Sequence, residues 1–85
     1  GREVHLTPTE YSLLELLAIN AGKPVFTDHI VARVWRDAPG TTADTVRVHM
    51  SALRKKIEPD PQHPVFIHTV HGNGYCLTLQ DKPGQ

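Results

Sequence analysis

One cysteine, one methionine, one tryptophan, two tyrosines and two phenylalanines are all the sulfur and aromatic side chains in this 85-residue sequence. The single Cys76 cannot close an internal disulfide or build a thiolate metal site alone, so the fold is not covalently stapled. A reducing, cytoplasmic setting is therefore expected. No apolar run approaches the ~18–20 residues of a membrane span, and the opening GREVHLTPTE has no signal-peptide character. Net charge is also absent, with nine Lys and Arg against nine Asp and Glu. Bulk charge thus points to no polyanionic partner. The length suits one core and excludes a cofactor domain beside a substrate domain. An enzyme would need its chemistry in a very small constellation.

What remains is an ordinary globular composition, 39% hydrophobic and 21% charged, with its charge unevenly placed. Residues 1–39 carry four basic and five acidic side chains, and residues 40–85 carry five and four. Within the second part, Arg47, Arg54, Lys55 and Lys56 crowd into ten residues. A neutral domain binds nucleic acid when its contact face alone is basic.

Along the chain, GREVHL alternates apolar and polar residues and reads as a short strand. Thr7, Pro8 and Glu10 form a capping box with proline at the first helical position. The spacing predicts a helix with Tyr11, Leu14, Leu17 and Ala18 on one face, stopped by Gly22 and Pro24. Val25 and Phe26 read as an extended link, and Thr27 as the cap of a second helix, TDHIVARVWR. Ile30, Val31, Val34 and Trp35 repeat there at helical spacing. DAPGTT reads as a loop. The third helix is ADTVRVHMSALRKKIE, with Val46, Met50, Leu53 and Ile57 as its buried stripe, and EPDPQHP breaks it. The run VFIHTVHGNGYCLTLQ reads as a hairpin around HGNG, and DKPGQ as a frayed tail. The expected fold is α+β, a winged helix-turn-helix forming one domain over residues 1–85. It has a three-helix core, a C-terminal β-hairpin wing and a short N-terminal strand.

The third helix carries the functional signal. At 100° per residue its four buried positions fall within about 60° of one another. Opposite lie Asp44, Val48, Ser51, Ala52 and Lys55, flanked by Arg47 and Arg54 on one side and by His49 and Lys56 on the other. Small side chains let the backbone approach a major groove, Val48 can touch a thymine methyl, and edge cations reach phosphates. The pattern alone also fits a solvated amphipathic helix whose basic end complements the helix dipole.

Three strings, LTPTEYSLLELL, DTVRVHMSALRKKIEPDP and HTVHGNGYCL, resemble in order and spacing the OmpR/PhoB family, the effector domains of bacterial two-component response regulators. The resemblance runs from about Val4 to Leu79. It implies a third helix that reads the major groove of double-stranded DNA and a wing that touches the adjacent backbone or minor groove. By this resemblance Thr45, Arg47, Val48, Ser51, Ala52, Arg54 and Lys55 form the major-groove set. His49 and Thr69 fall at phosphate contacts, and His71 lies in the wing where the family commonly has Arg. The loop from Arg36 to Thr42 would contact RNA polymerase. A homodimer on tandem half-sites, an upstream receiver domain and a sensor kinase are the further partners implied. The chain then reads as a fragment of a longer regulator, lacking the receiver and most of the family's N-terminal sheet. Departures are Arg47 at a usually acidic position, Asp44 where Arg is frequent, Phe26 where Ser commonly caps the second helix, and Cys76 in place of the Arg after GxGY.

Other tempting residues read as structural. Six histidines are present, but His63, His68 and His71 straddle a proline and a strand with alternating faces, so no metal or other cofactor is expected. Trp35 and Tyr75 read as packing residues. Gly72-Asn73-Gly74 precedes no helix and is not a phosphate loop. Ser51 has no adjacent base, and no convergent acid–base pair is found, so no catalysis is expected. Two readings remain, specific DNA binding for transcription regulation and a winged helix used only for protein–protein contact. The first leads; neutral charge and the missing wing arginine are the features that support the second.

Overall fold

Helix α1 (Pro8–Ile19) starts where the capping box places it. In the computed structural model, which describes residues 4–79, the Thr7 hydroxyl accepts the Glu10 amide at 3.1 Å and Glu10 Oε1 accepts the Thr7 amide at 3.0 Å. Two donors without helical partners are thereby satisfied. The buried face is formed by Glu10, Leu13, Leu16 and Leu17, not by the predicted Tyr11 and Ala18. Tyr11 is 59% exposed. The leucines at 13, 14, 16 and 17 share one side at 100° per residue, but Tyr11, Ala18 and Ile19 carry apolar surface round to the other, so the apolar pattern leaves the rotational phase open.

A two-residue strand β1 (Val25–Phe26) follows, then α2 (Thr27–Val34), α3 (Ala43–Ile57), β2 (Ile67–Val70) and β3 (Gly74–Leu77). The sheet is antiparallel in the order β1-β3-β2, with Val25 opposite Tyr75 and Thr69 opposite Tyr75 on its other side. The extended link is thus the third strand of the sheet. Leu13, Leu17, Ile30, Val46, Met50, Leu53, Ile67 and Leu77 are essentially inaccessible and join the three helices to the sheet.

Three further expectations change. The strand expected over GREVHL lies partly outside the described residues, and residues 4–7 are irregular. The His5 carbonyl there accepts from Lys56 Nζ at 3.0 Å, so it is bound to α3. Thr27 does not cap α2. Phe26 holds the cap position without a side-chain bond, while the Thr27 amide and hydroxyl both donate to the Asn73 carbonyl, at 2.9 and 2.7 Å. Helix α2 ends at Val34, with Trp35 as its C-cap. The tail DKPGQ lies outside the described residues.

Buried Glu10 is also the acceptor for Lys56 Nζ, 2.6 Å away at the far end of α3. The Lys56 hydrogen bond, helped by the Thr7 amide, holds the Glu10 carboxyl below its ordinary value of 4.5. A depressed carboxyl contributes stability that is present above the unfolded-state value and is lost as pH falls through the folded one. Thermal melts from neutral pH into acid should therefore show the advantage of wild type over Glu10→Gln shrinking below about 4.5. A constant difference across that window would exclude the linkage.

Candidate nucleic-acid interface

The segment that could enter a groove is α3, whose inner face of Val46, Met50 and Leu53 is buried against α1 and α2. Thr42 caps it, accepting the Thr45 amide at 3.4 Å. Arg47, Val48, Ser51 and Lys55 are exposed, and Thr45 and Ala52 are half-buried beside them. Val48 is 66% exposed, an apolar side chain in the middle of a polar helix face. This is the stripe the sequence places there.

The four cations of the helix are not equivalent. Lys56 is held by Glu10 and the His5 carbonyl. Arg54 donates from Nε and Nη2 to the Ile67 carbonyl, at 3.2 and 2.9 Å, and from Nη2 to the Thr69 hydroxyl at 2.9 Å. Its guanidinium carbon lies 5.7 Å from the Tyr75 ring centroid. Arg47 pairs with Asp44 at 2.7 Å, one turn back and with both side chains largely in solvent. Such exposed pairs are worth only ~0.2–0.5 kcal/mol, so this one does not bind the guanidinium firmly. Lys55 has no ion pair or hydrogen bond among the described residues. Two of the four cations are thus available to an outside anion.

His49 is half-buried, its Nδ1 2.9 Å from the Thr45 carbonyl and its ring edge-on to Trp35 with centroids 5.1 Å apart. Because a carbonyl only accepts, Nδ1 carries the proton in that bond and Nε2 remains for another partner. In the wing, Thr69 and His71 are exposed, and the turn carries Gly72 and Asn73 at φ of 93° and 67°. Gly74 is buried under Phe26, where an added Cβ would lie 2.7 Å from the ring. Only glycine fits beneath that ring, which now covers the wing turn.

Sequence reasoning missed Glu58. Buried at the end of α3, it accepts the amides of Val65 and Phe66 on Oε1, at 2.8 and 3.2 Å, and those of Phe66 and Ile67 on Oε2, at 3.1 and 2.8 Å. Its carboxylate ties the end of α3 to the chain entering β2. Its only local signal is a glutamate closing an apolar stripe before Pro59.

The remaining histidines do not converge. His63 pairs with Asp60 at 3.0 Å and His68 with the Thr78 hydroxyl at 3.1 Å. Among the described residues no three His, Cys, Asp or Glu side chains are grouped to hold a metal, and no helix is long and apolar enough to cross a membrane.

The chain is similar in sequence and fold to known proteins. The chain is 47% identical over 75 residues to the transcriptional regulatory protein KdpE of Mycobacterium tuberculosis, covering 88% of this chain and 33% of KdpE. It superposes with a TM-score of 0.81 and 36% identity on the Thermotoga maritima response regulator DrrB, an OmpR/PhoB homologue, covering 88% of this chain and 34% of that one. The chain therefore spans about a third of the length of both. The DNA-binding domain of Klebsiella pneumoniae RstA, solved in complex with the RstA box, matches at 30% identity and a TM-score of 0.78, covering 92% of this chain and 77% of that one. The family of transcriptional regulatory protein C-terminal domains matches residues 1–77, so the winged-helix chain belongs to that family, in its OmpR/PhoB type.

Proposed function

We propose that the chain binds double-stranded DNA sequence-specifically and is the output domain of a two-component response regulator. In this reading α3 lies in the major groove and the β2–β3 wing supports it from the backbone. The carrying observation is the exposed stripe of α3, with Val48 in solvent between Arg47 and Lys55 and small Ser51 and Ala52 beside them. A purely solvated helix gains nothing by exposing Val48, whereas a groove-bound one can place it on a thymine methyl. The complex of RstA with its box supports the same use of a matching fold. Thr69 and His49 would serve phosphates and position the helix, with Thr45 in the groove-facing set.

The wider assignments follow the family. The loop from Arg36 to Thr42 would meet RNA polymerase, two copies would occupy tandem half-sites, and a receiver domain and sensor kinase would act upstream. A single domain of this kind buries on the order of 600–1,000 Å² on DNA, so useful affinity requires two copies about one helical turn apart.

Binding to a random duplex library at two salt concentrations tests this reading. Selection of a defined motif with affinity falling steeply as salt rises is expected, because phosphate contacts release counterions. A chain that captures proteins but no duplex would belong to the protein–protein reading instead. Within the experiment, Arg47→Ala should lose ~1–3 kcal/mol on the best site and flatten preference at one base pair, as for a fork on guanine O6 and N7. Lys55→Ala should weaken all duplexes alike and lower the salt slope by about one unit. If Arg47→Ala selects the wild-type motif, Arg47 reads no base.

A further inference from the structure

The Arg54 guanidinium spans the junction of recognition helix and wing. Its base is on α3, Nε and Nη2 hold the Ile67 carbonyl at the start of β2, and Nη2 also reaches the Thr69 hydroxyl, 2.9 Å away. The Tyr75 ring on β3 lies 5.7 Å from the guanidinium carbon. One planar cation thus touches α3, β2 and β3. A hydroxyl that accepts a bond from a cation keeps its own hydrogen, and that hydrogen becomes a stronger donor through polarisation. Among the described residues nothing takes it, and Thr69 is exposed. From these contacts we infer that Arg54 is a positioning residue, not a DNA ligand. It straps wing to helix and sets the Thr69 hydroxyl to donate to one backbone phosphate between the two contact surfaces.

The inference rests on the DNA reading and makes a different demand from a direct Arg54–phosphate contact. A direct contact needs only charge, which lysine keeps. The strap needs the rigid fork, because a single ammonium cannot hold the Ile67 carbonyl and the Thr69 oxygen in one plane. A direct contact also contributes to counterion release, whereas an arginine held by the protein on both sides of binding does not.

The test uses the 85-residue chain on its selected duplex and a series of duplexes, each with one neutral methylphosphonate linkage. In wild type, one linkage should cost about tenfold in affinity, the scale of a hydrogen bond to a charged group. Thr69→Val should lose the same factor and become indifferent to that linkage, while Thr69→Ser restores both. Arg54→Lys should show the loss at the same linkage with an unchanged salt slope, and Arg54→Lys with Thr69→Val should bind no more weakly than Thr69→Val alone. Thermal melts establish that each variant is folded, and Thr69→Val carries the test if the Arg54 variants are not. Wild-type affinity in Arg54→Lys or in Thr69→Val overturns the strap, as does a salt slope lowered by about one unit in Arg54→Met. A wild-type chain that selects no duplex overturns the DNA reading and the strap together.

Discussion

Glu58→Ala is expected to cost roughly 3 kcal/mol or more of stability. The carboxylate accepts three consecutive amides, from Val65, Phe66 and Ile67, and the bond to Ile67 is fully buried. Alanine leaves those donors without their acceptor, the Ile67 amide in a buried place. For a domain of this size, ~4–8 °C per kcal/mol puts the fall in melting midpoint above about 12 °C. Glu58→Gln should recover less than half of it, because its amide nitrogen would face donors. A variant melting within a few degrees of wild type would show that β2 is held by its sheet partners alone.

Val48→Glu should act oppositely, sparing the fold and removing function. Val48 is 66% exposed and makes no part of the buried core, so the melting curve should move by no more than ~0.5 kcal/mol. On the selected duplex the affinity should fall by about 100-fold or more, since a carboxylate there would face base acceptors and flanking phosphates at close range. Val48→Ala should lose no more than about tenfold, the scale of two methyl groups at ~0.8 kcal/mol each. The pair separates shape from charge. If Val48→Glu binds within tenfold of wild type, this face of α3 is not in the groove and the interface must be sought elsewhere on the molecule.

The elements legible in the sequence are those whose cause is local. The α1 start was readable because Thr7, Pro8 and Glu10 sit within four residues, and both capping bonds are present. The inner stripe of α3 was readable because Val46, Met50 and Leu53 recur with one period and small or polar residues oppose them. The face of α1 was not, since Tyr11, Ala18 and Ile19 continue the apolar surface of the leucines around the helix and only tertiary packing chooses the buried side. Strand β1 has two residues, too few for any periodicity, and exists because β3 lies beside it. The division of the basic cluster was equally hidden. Lys56 is occupied by a glutamate 46 positions earlier and Arg54 by a carbonyl 13 positions later, and neither distance is visible in a helix read alone.

The placement of β1 has a consequence for how such domains diversify. The hairpin looks like an appendage on three helices, yet its second strand is the central one, bonded on one side to the chain between α1 and α2. Two further ties reinforce this, the Gly22 amide on the Leu77 carbonyl at 2.8 Å and Thr27 on the Asn73 carbonyl. The wing is therefore not an interchangeable cassette. A chimera that grafts a foreign hairpin onto this body must also carry the matching residues at 22–27, above all a ring that closes over the Gly74 position. If the wing contacts DNA, new wing specificities should then arise by point changes at tips such as His71, whose side chain is exposed.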